Sequence, residues 1–279
     1  MRVLVTGGAG FVGHNLALYL AERGFDVVVL DSLERSTSFA LERLRGRGIP
    51  ILKVDARFFD GYKNFDVVVH AAAYVSVSES IERPVEYLDN NALGTAKVAY
   101  NCARHGARLV YLSSAAVYGN SVRLPVPKDH PINPVSLYGF SKWLGELIVN
   151  HLNTVYGLRY VILRLFNVYG PGQNPSYAGV VASFLERALR GEPLIIYGDG
   201  GQTRDFIYVD DVSQVILRII EGDAFDNEVY NVGTGRPITI RMLAEAVKRV
   251  VGRELDIVFK GPKPGDIRHS YADNIKLLI

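Results

Sequence analysis

Thr6-Gly7-Gly8-Ala9-Gly10-Phe11-Val12-Gly13 follows the short apolar run Arg2-Val-Leu-Val-Thr6 and precedes a helical pattern through Leu16, Leu20 and Arg23 to Gly24. The order reads strand, tight turn, helix. Glycines at such a turn let the backbone come close to a pyrophosphate and let the helix pack on the strand, while the exposed amides of the helix start attract phosphate charge. A second apolar run, Asp26 to Leu30, ends in Asp31. That is close to the offset of ~20 residues at which a dinucleotide-binding unit places the acid that accepts from a ribose hydroxyl. A carboxylate there repels a phosphate on that hydroxyl and so favours NAD over NADP. Arg35, four residues on, keeps the phosphorylated cofactor open as an alternative.

Working outward, strand-like runs recur at Ile51 to Val54, Val67 to His70, Leu109 to Leu112 and Tyr160 to Leu163, with helical segments between several of them. Alternation of this kind predicts an α/β fold, a Rossmann-type doubly wound parallel sheet. Ligands bind at strand ends in such sheets, and these carry Asp55-Ala56, Ala71-Ala72-Ala73 and Ser113-Ser114, whose small side chains leave room for a cofactor. His70, at the end of an apolar strand, reads as a hydrogen-bonded structural histidine rather than a base. After Asn167-Val-Tyr-Gly-Pro171 the alternation loosens. The expected division is a dinucleotide-binding domain over 1–170 that carries the catalytic residues, and residues 171–279 that form mainly a smaller C-terminal α/β substrate-binding lobe. A ligand would then lie in the crevice between them.

Bulk properties narrow the function classes. A chain of 279 residues, 48% hydrophobic, can bury a large core, and its net charge of +2 without a run of Lys and Arg gives no reason to expect nucleic acid. Cys102 is the only cysteine, so no internal disulfide and no Cys-based metal centre is expected. No apolar run reaches membrane-spanning length and no leader is recognisable, so the expected partners exclude a membrane and the expected compartment is the cytoplasm.

Tyr138-Gly-Phe-Ser-Lys142 places a phenol and an ammonium one turn apart on a single helix face. A tyrosine that is to act as a base near neutrality must have its pKa lowered by about 3, worth about 4 kcal/mol. Two unit charges ~4 Å apart at an effective dielectric of ~20 interact by about that much, so one close ammonium supplies most of the shift and a bound oxidised nicotinamide would add further positive charge. The spacing alone also fits a half-buried tyrosine beside a solvated lysine. The surrounding motifs decide between the two readings.

Those motifs are Thr6 to Gly13, the Asp31 strand end, Asp55-Ala-Arg57, His70 to Ala73, Pro84 to Thr95, Ser113-Ser-Ala-Ala-Val-Tyr-Gly119, Tyr138 with Lys142, Arg164 to Pro171, Arg204 to Asp211, Tyr230 to Thr234 and Pro264-Gly-Asp266. Jointly they resemble the extended short-chain dehydrogenase/reductase family, and within it the nucleotide-sugar epimerases, over nearly the whole chain. The resemblance implies a UDP-hexose substrate and interconversion of UDP-galactose and UDP-glucose by transient hydride transfer to tightly bound NAD. It implies that Tyr138 is the base, that Lys142 holds the nicotinamide ribose and lowers the tyrosine pKa, and that Ser114 hydrogen-bonds the same sugar oxygen. It places the cofactor on Gly7, Gly10, Phe11, Val12, Gly13, Asp31, Ser32, Ser36, Asp55, Ala56, Ala71, Ala72, Ala73, Asn91, Tyr138, Lys142 and Phe166. The substrate falls to Ser114, Tyr138, Asn167, Gly179, Val180, Tyr197, Arg204, Lys263, Asp266 and Ser270, with Arg204 as phosphate clamp. No metal is implied. A homodimer is, and the strongly patterned helices after Asn91 and around Tyr138 have apolar surface to spare for a seam.

Two features narrow the reaction further. Dehydratases and decarboxylases of the family carry an acid just beyond the position of Ser114, where this chain has Ala115-Ala116, so epimerisation is expected over dehydration. Ser270 takes the position that lines the sugar end of the pocket, and a small side chain there leaves space for an N-acetylated hexose. Lys263 stands where relatives have Arg, a point charge rather than a fork, with Arg268 as a substitute close by. The chain stops at Ile279, shorter than the family pattern, so a truncated tail is expected. The competing readings are another epimerase or a reductase of the same fold, or a non-catalytic NAD-sensing protein. The intact Ser114, Tyr138 and Lys142 argue against the last.

Overall fold

The computed structural model describes residues 1–273 other than 175, 176, 178, 223, 224 and 263–265. In chain order the first half comprises β1 (Arg2–Thr6), α1 (Phe11–Ala21), β2 (Asp26–Asp31), α2 (Ser38–Gly46), β3 (Ile51–Lys53), β4 (Val67–His70), α3 (Val77–Glu82), α4 (Pro84–Tyr87), α5 (Gly94–His105), β5 (Arg108–Ser114), α6 (Leu137–Tyr156) and β6 (Tyr160–Leu165). The second half comprises β7 (Asn167–Tyr169), α7 (Val180–Arg190), β8 (Leu194–Tyr197), β9 (Thr203–Tyr208), α8 (Val209–Glu221), β10 (Glu228–Val232), β11 (Pro237–Thr239), α9 (Ile240–Val251), β12 (Ile257–Lys260) and β13 (His269–Ser270).

Seven strands form one sheet in the order β10-β6-β5-β4-β1-β2-β3, and every pairing in it is parallel. Its strands read as near-continuous apolar runs because both faces are covered. Val3, Val5, Val27, Val29, Val67 and Val69 point into one core and Leu4, Val28, Leu30 and Val68 into the other, the period of two expected of strands. The strand order reverses between β1 and β4, which makes their carboxyl ends the switch point where such sheets bind ligands. Among the described residues no helix is long and apolar enough to cross a membrane.

The chain after residue 170 does not all lie in the smaller lobe. Although Glu228–Val232 lies in the second half, β10 pairs with β6 and becomes the seventh strand of the large sheet. Val212, Ile216, Ile219 and Ile220 of α8 join the same core as Leu16, Ala17 and Leu20 of α1. The apolar faces of α8 and β10 are matched to this layer, so the chain leaves it and returns. What remains apart is a smaller core of Phe184, Ala188, Leu194, Ile196, Ile240, Ala244 and Val247 from α7, β8 and α9. Beside it β9 pairs with β7, β11 and β13, and β8 with β12. Since β7 begins two residues after β6 ends, the small sheet starts at the carboxyl edge of the large one.

Candidate active site

Helix α6 starts where Ser136 Oγ accepts from the Gly139 amide at 3.1 Å, the usual way of satisfying a first-turn donor. It seats deeply because two positions facing its neighbours lack a side chain. A β-carbon on Gly139 would stand 2.5 Å from Ala116 O, and one on Gly145 would stand 2.3 Å from the Tyr111 hydroxyl. Tyr138 and Lys142 therefore project at the ends of β5 and β6, into a cleft of about 360 Å³ that Ser113, Ser114, Phe166 and Asn167 also line. The opposite wall is Gly7, Gly10, Phe11, Val12, Gly13, Ala71 and Ala73. A narrower recess of about 110 Å³ shares Gly7, Gly10, Ala71 and Ala73 with it and runs out to Asp31, Ser32, Ser36, Asp55, Ala56 and Ala72.

Burial dominates the electrostatics of the pair. Lys142 is 3% exposed, and desolvation lowers its pKa to about 7 against the opposing charge of Glu146. Its ammonium lies 4.6 Å from the centroid of the Tyr111 ring. Burial also raises the Tyr138 phenol above its ordinary value, with a hydrogen bond from Ser114 working the other way. Loss of water is thus the largest influence on the phenol, and the Ser114 hydrogen bond is what opposes it. His70 sits as expected of a structural histidine, with Nδ1 2.7 Å from Thr6 Oγ1 and Nε2 3.1 Å from Thr95 Oγ1. Asn91, in a wide π-type turn over Leu88–Leu93, is buried and ties Tyr74 to α6. Its Nδ2 donates to Tyr74 O and to Ser141 Oγ, both at 2.9 Å, and Oδ1 accepts from Tyr74 N at 2.8 Å.

The long cleft fits a dinucleotide. Gly7 takes φ +65° and a β-carbon on it would stand 2.5 Å from Ala72 N and Cα, so the turn is pressed onto the neighbouring strand end and only glycine fits. Helix α1 opens at Gly10 with no side-chain cap and no acid in its first turn, which leaves its positive end to an anion. Asp31 is held by Ala9 N at 2.9 Å and Leu33 N at 2.8 Å. Burial raises its pKa despite those amides, and Asp55 adds to the rise, so donors such as ribose hydroxyls would be welcome there. Arg35 does not supply a phosphate site: it forks onto Glu79 at 2.7 and 2.9 Å and stacks 3.6 Å from the Tyr74 ring centroid. Asp55 is taken up by Arg57, whose Nη2 donates at 2.6 Å and whose amide donates at 2.8 Å, while Arg57 also pairs with Asp89. Burial tends to raise Asp55, and Arg57 outweighs it, leaving the carboxyl below its ordinary value.

The residues expected to hold substrate divide. Asn167 is on β7, in register with Phe206, and lines the cleft. Gly179 caps the start of α7 and Val180 is its first residue; Tyr197 ends β8. Arg204, on β9, pairs with Asp266 and donates to Thr203 O at 2.8 Å. Burial lowers its pKa, with Asp266 opposing. Ser270 stands beside Arg204 in the β13 to β9 pairing, on the small sheet rather than in the wall around Tyr138. Arg268 is engaged by Asp199 at 2.6 and 2.9 Å. Lys263 lies outside the described residues, as do 274–279 where the shortened tail was expected.

The sequence reading missed Gln173, Asn174 and Tyr177, which line the same cleft from the loop after β7. A turn-rich loop has no period to betray them. It also missed Glu146, for which there was a signal: positions 138, 142 and 146 share one helix face.

A family model described as "NAD dependent epimerase/dehydratase family" matches residues 3–233. A UDP-glucose 4-epimerase of Mycolicibacterium smegmatis is 36% identical over 99% of this chain and 91% of its own length. Among solved structures, a UDP-N-acetylglucosamine 4-epimerase from Methanobrevibacter ruminantium M1, in complex with UDP-N-acetylmuramic acid, superposes with a TM-score of 0.94 at 35% identity, covering 99% of this chain and 90% of that one. The Thermus thermophilus UDP-glucose 4-epimerase in complex with NAD gives a TM-score of 0.90 at 36% identity, covering 100% and 92%.

Proposed function

Because the chain belongs to the NAD-dependent epimerase/dehydratase family, we propose that it is a UDP-hexose 4-epimerase that interconverts UDP-galactose and UDP-glucose and holds NAD in the long cleft. The observation that carries the reading is the convergence of Ser114, Tyr138 and Lys142 on one cleft, with Ala115 and Ala116 where a dehydratase would need an acid. When bound, NAD supplies a hydride acceptor and donor that is not consumed. Asp31 would take the adenosine ribose, the α1 amides the pyrophosphate and Lys142 the nicotinamide ribose. Tyr138 removes the proton from the sugar hydroxyl and later restores it. Ser114 orients that oxygen.

The lysine that is half charged near neutrality and the raised tyrosine are poised within one site, and positive charge arriving beside Tyr138 would favour its phenolate. Arg204 is proposed to hold the UDP diphosphate in exchange for Asp266, and Asn167, Gly179, Val180 and Tyr197 to shape the rest of that site. Ser270 is proposed to admit N-acetylhexosamines as well, a reading favoured by the likeness to the Methanobrevibacter enzyme. A homodimer is proposed on the exposed apolar side chains of Leu93, Tyr100, Leu147 and Val155 on and beside α5 and α6. Cytoplasmic location is proposed with it.

The test is to incubate the purified protein with UDP-galactose, with and without added NAD, and resolve the two UDP-hexoses over time. Interconversion without net NADH supports the proposal. NADH accumulating in step with product would make the protein a dehydrogenase, and no turnover with any UDP-hexose would overturn the catalytic reading.

A further inference from the structure

Glu146 lies one turn beyond Lys142 on α6, on the face that carries Tyr138, and its side chain is 4% exposed. Its oxygens accept from Arg164 Nη2 at 2.7 Å, from Arg164 Nε at 3.0 Å and from the Ser113 hydroxyl at 2.5 Å. Arg164 donates onward to the Tyr118 hydroxyl at 2.9 Å, and Tyr118 donates to Asn231 Oδ1 at 2.6 Å. Strands β5 and β6 therefore hold this one carboxylate directly, and β10 braces Arg164 through Tyr118. An Arg–Glu pair of this kind could be core architecture only, since burying it brings no obvious gain over apolar packing. What distinguishes it is the buried ammonium one turn away, for which Glu146 is the opposing charge.

We propose that Glu146 is a positioning residue for the Tyr138–Lys142 pair: anchored by Arg164 and Ser113, its carboxylate is the fixed counter-charge for the Lys142 ammonium one turn from Tyr138. The assignment rests on the reading of Tyr138 and Lys142 as the working pair. One carboxylate then serves two buried basic groups, so the cluster carries a net positive charge only while Lys142 is protonated. Lys142 also faces Tyr111 on β5 and His70 on β4, besides Tyr138 on its own helix. Burial raises Tyr111 and lowers His70 to about 3, so both stay neutral between pH 5 and 9. On the other side Glu146 faces Arg164, Ser113 and, through Arg164, Tyr118, whose phenol burial also raises. A titration seen near neutrality in this cluster therefore belongs to Lys142. With Gln at 146, Arg164 and Lys142 would share a buried site without a counter-charge, and Lys142, the weaker base, would give up its proton.

The experiment is a pH titration of the protein labelled with [ε-13C]lysine, with the Lys142 resonance assigned by its loss in Lys142→Met. Glu146→Gln is expected to lower the Lys142 midpoint by at least one pH unit, about a tenfold loss of proton affinity, with the folded spectrum otherwise retained. If Glu146→Gln does not fold, Glu146→Asp takes its place, since a carboxylate withdrawn by one methylene shifts the midpoint in the same direction. A midpoint that stays put in the variant that folds, whatever happens to its melting temperature, overturns the proposal and leaves Glu146 as a core partner of Arg164. The readout needs no turnover, so a wrong substrate assignment and a wrong role for Glu146 give different results.

Discussion

Gly145 brings α6 against Tyr111 so closely that a β-carbon would stand 2.3 Å from the phenolic oxygen, and that hydroxyl donates to Lys142 O at 3.2 Å. The contact sets the depth at which α6, with Tyr138 and Lys142, lies on the sheet. Gly145→Ala gains about 1 kcal/mol of helix propensity and meets an overpacking cost of typically ~1–3 kcal/mol. The expected net is a modest loss of stability. The expected loss of turnover is larger, about 10-fold to 100-fold, because misplacing reacting groups by ~1 Å is that expensive. Calorimetry and epimerisation rates on the same preparation check both; a variant with full activity would show that α6 is not held by this contact.

Cofactor choice should depend on two carboxylates together. Asp31 repels a 2′-phosphate, and the two guanidinium groups that line the recess are both engaged, Arg35 by Glu79 and Arg57 by Asp55 and Asp89. Asp31→Ser alone is expected to weaken NAD binding about tenfold with little gain in NADP affinity, the price of a lost charge-assisted bond. Asp31→Ser with Glu79→Gln frees Arg35, and NADP affinity should rise by more than the two single effects combined. Fluorescence titration of both cofactors against the four proteins checks it, and strict additivity would contradict it.

The depressed Lys142 makes stability depend on pH. Its folded pKa of about 7 lies below the unfolded value of 10.5, so between those limits the unfolded chain binds more protons and stability rises with pH. From pH 7 to pH 9 this group is expected to contribute a gain of roughly 2 kcal/mol. The buried tyrosines do not interfere below their unfolded pKa near 10. Lys142→Met removes the gain, so denaturant midpoints of the parent and the variant, compared at both pH values, should converge or separate by that amount. Parallel pH profiles would refute the shift.

Ser270 offers a test of substrate breadth. Ser270→Tyr is expected to abolish turnover of UDP-N-acetylglucosamine while leaving UDP-galactose within a few-fold of the parent, by filling space rather than by removing a bond. Equal turnover of both sugars by the variant would count against any role for this position, which stands beside Arg204 on the small sheet.

The glycine turn, the Asp31 strand end and the parallel layers were legible because each has a local cause. Gly7 must be glycine for its φ and its contact with Ala72, and buried parallel strands must be apolar on both faces. What escaped is decided by distant partners. Glu228–Val232 alternates in the same way whichever sheet receives it, and only pairing with β6 settles the matter. Arg35 looks free until Glu79, 44 residues away, closes on it. The depressed charge on Lys142 follows from enclosure by β4, β5 and α6, which no spacing in the sequence encodes.

The return of β10 to the large sheet bears on how the protein is made. Until Glu221 has been synthesised the face of α1 that α8 covers is bare, and until Val232 has been synthesised β6 lacks its outer partner. Exposed strand edges of this kind invite pairing with other chains. Ser114, Tyr138, Lys142 and Asn167 of the cleft are thus all translated by residue 167, yet the seventh strand of the sheet that holds them is added some 65 residues later, by a segment that contributes no side chain to the cleft lining. On a ribosome adding roughly 5–20 residues per second, that interval lasts several seconds, during which the edge of β6 is without its native partner.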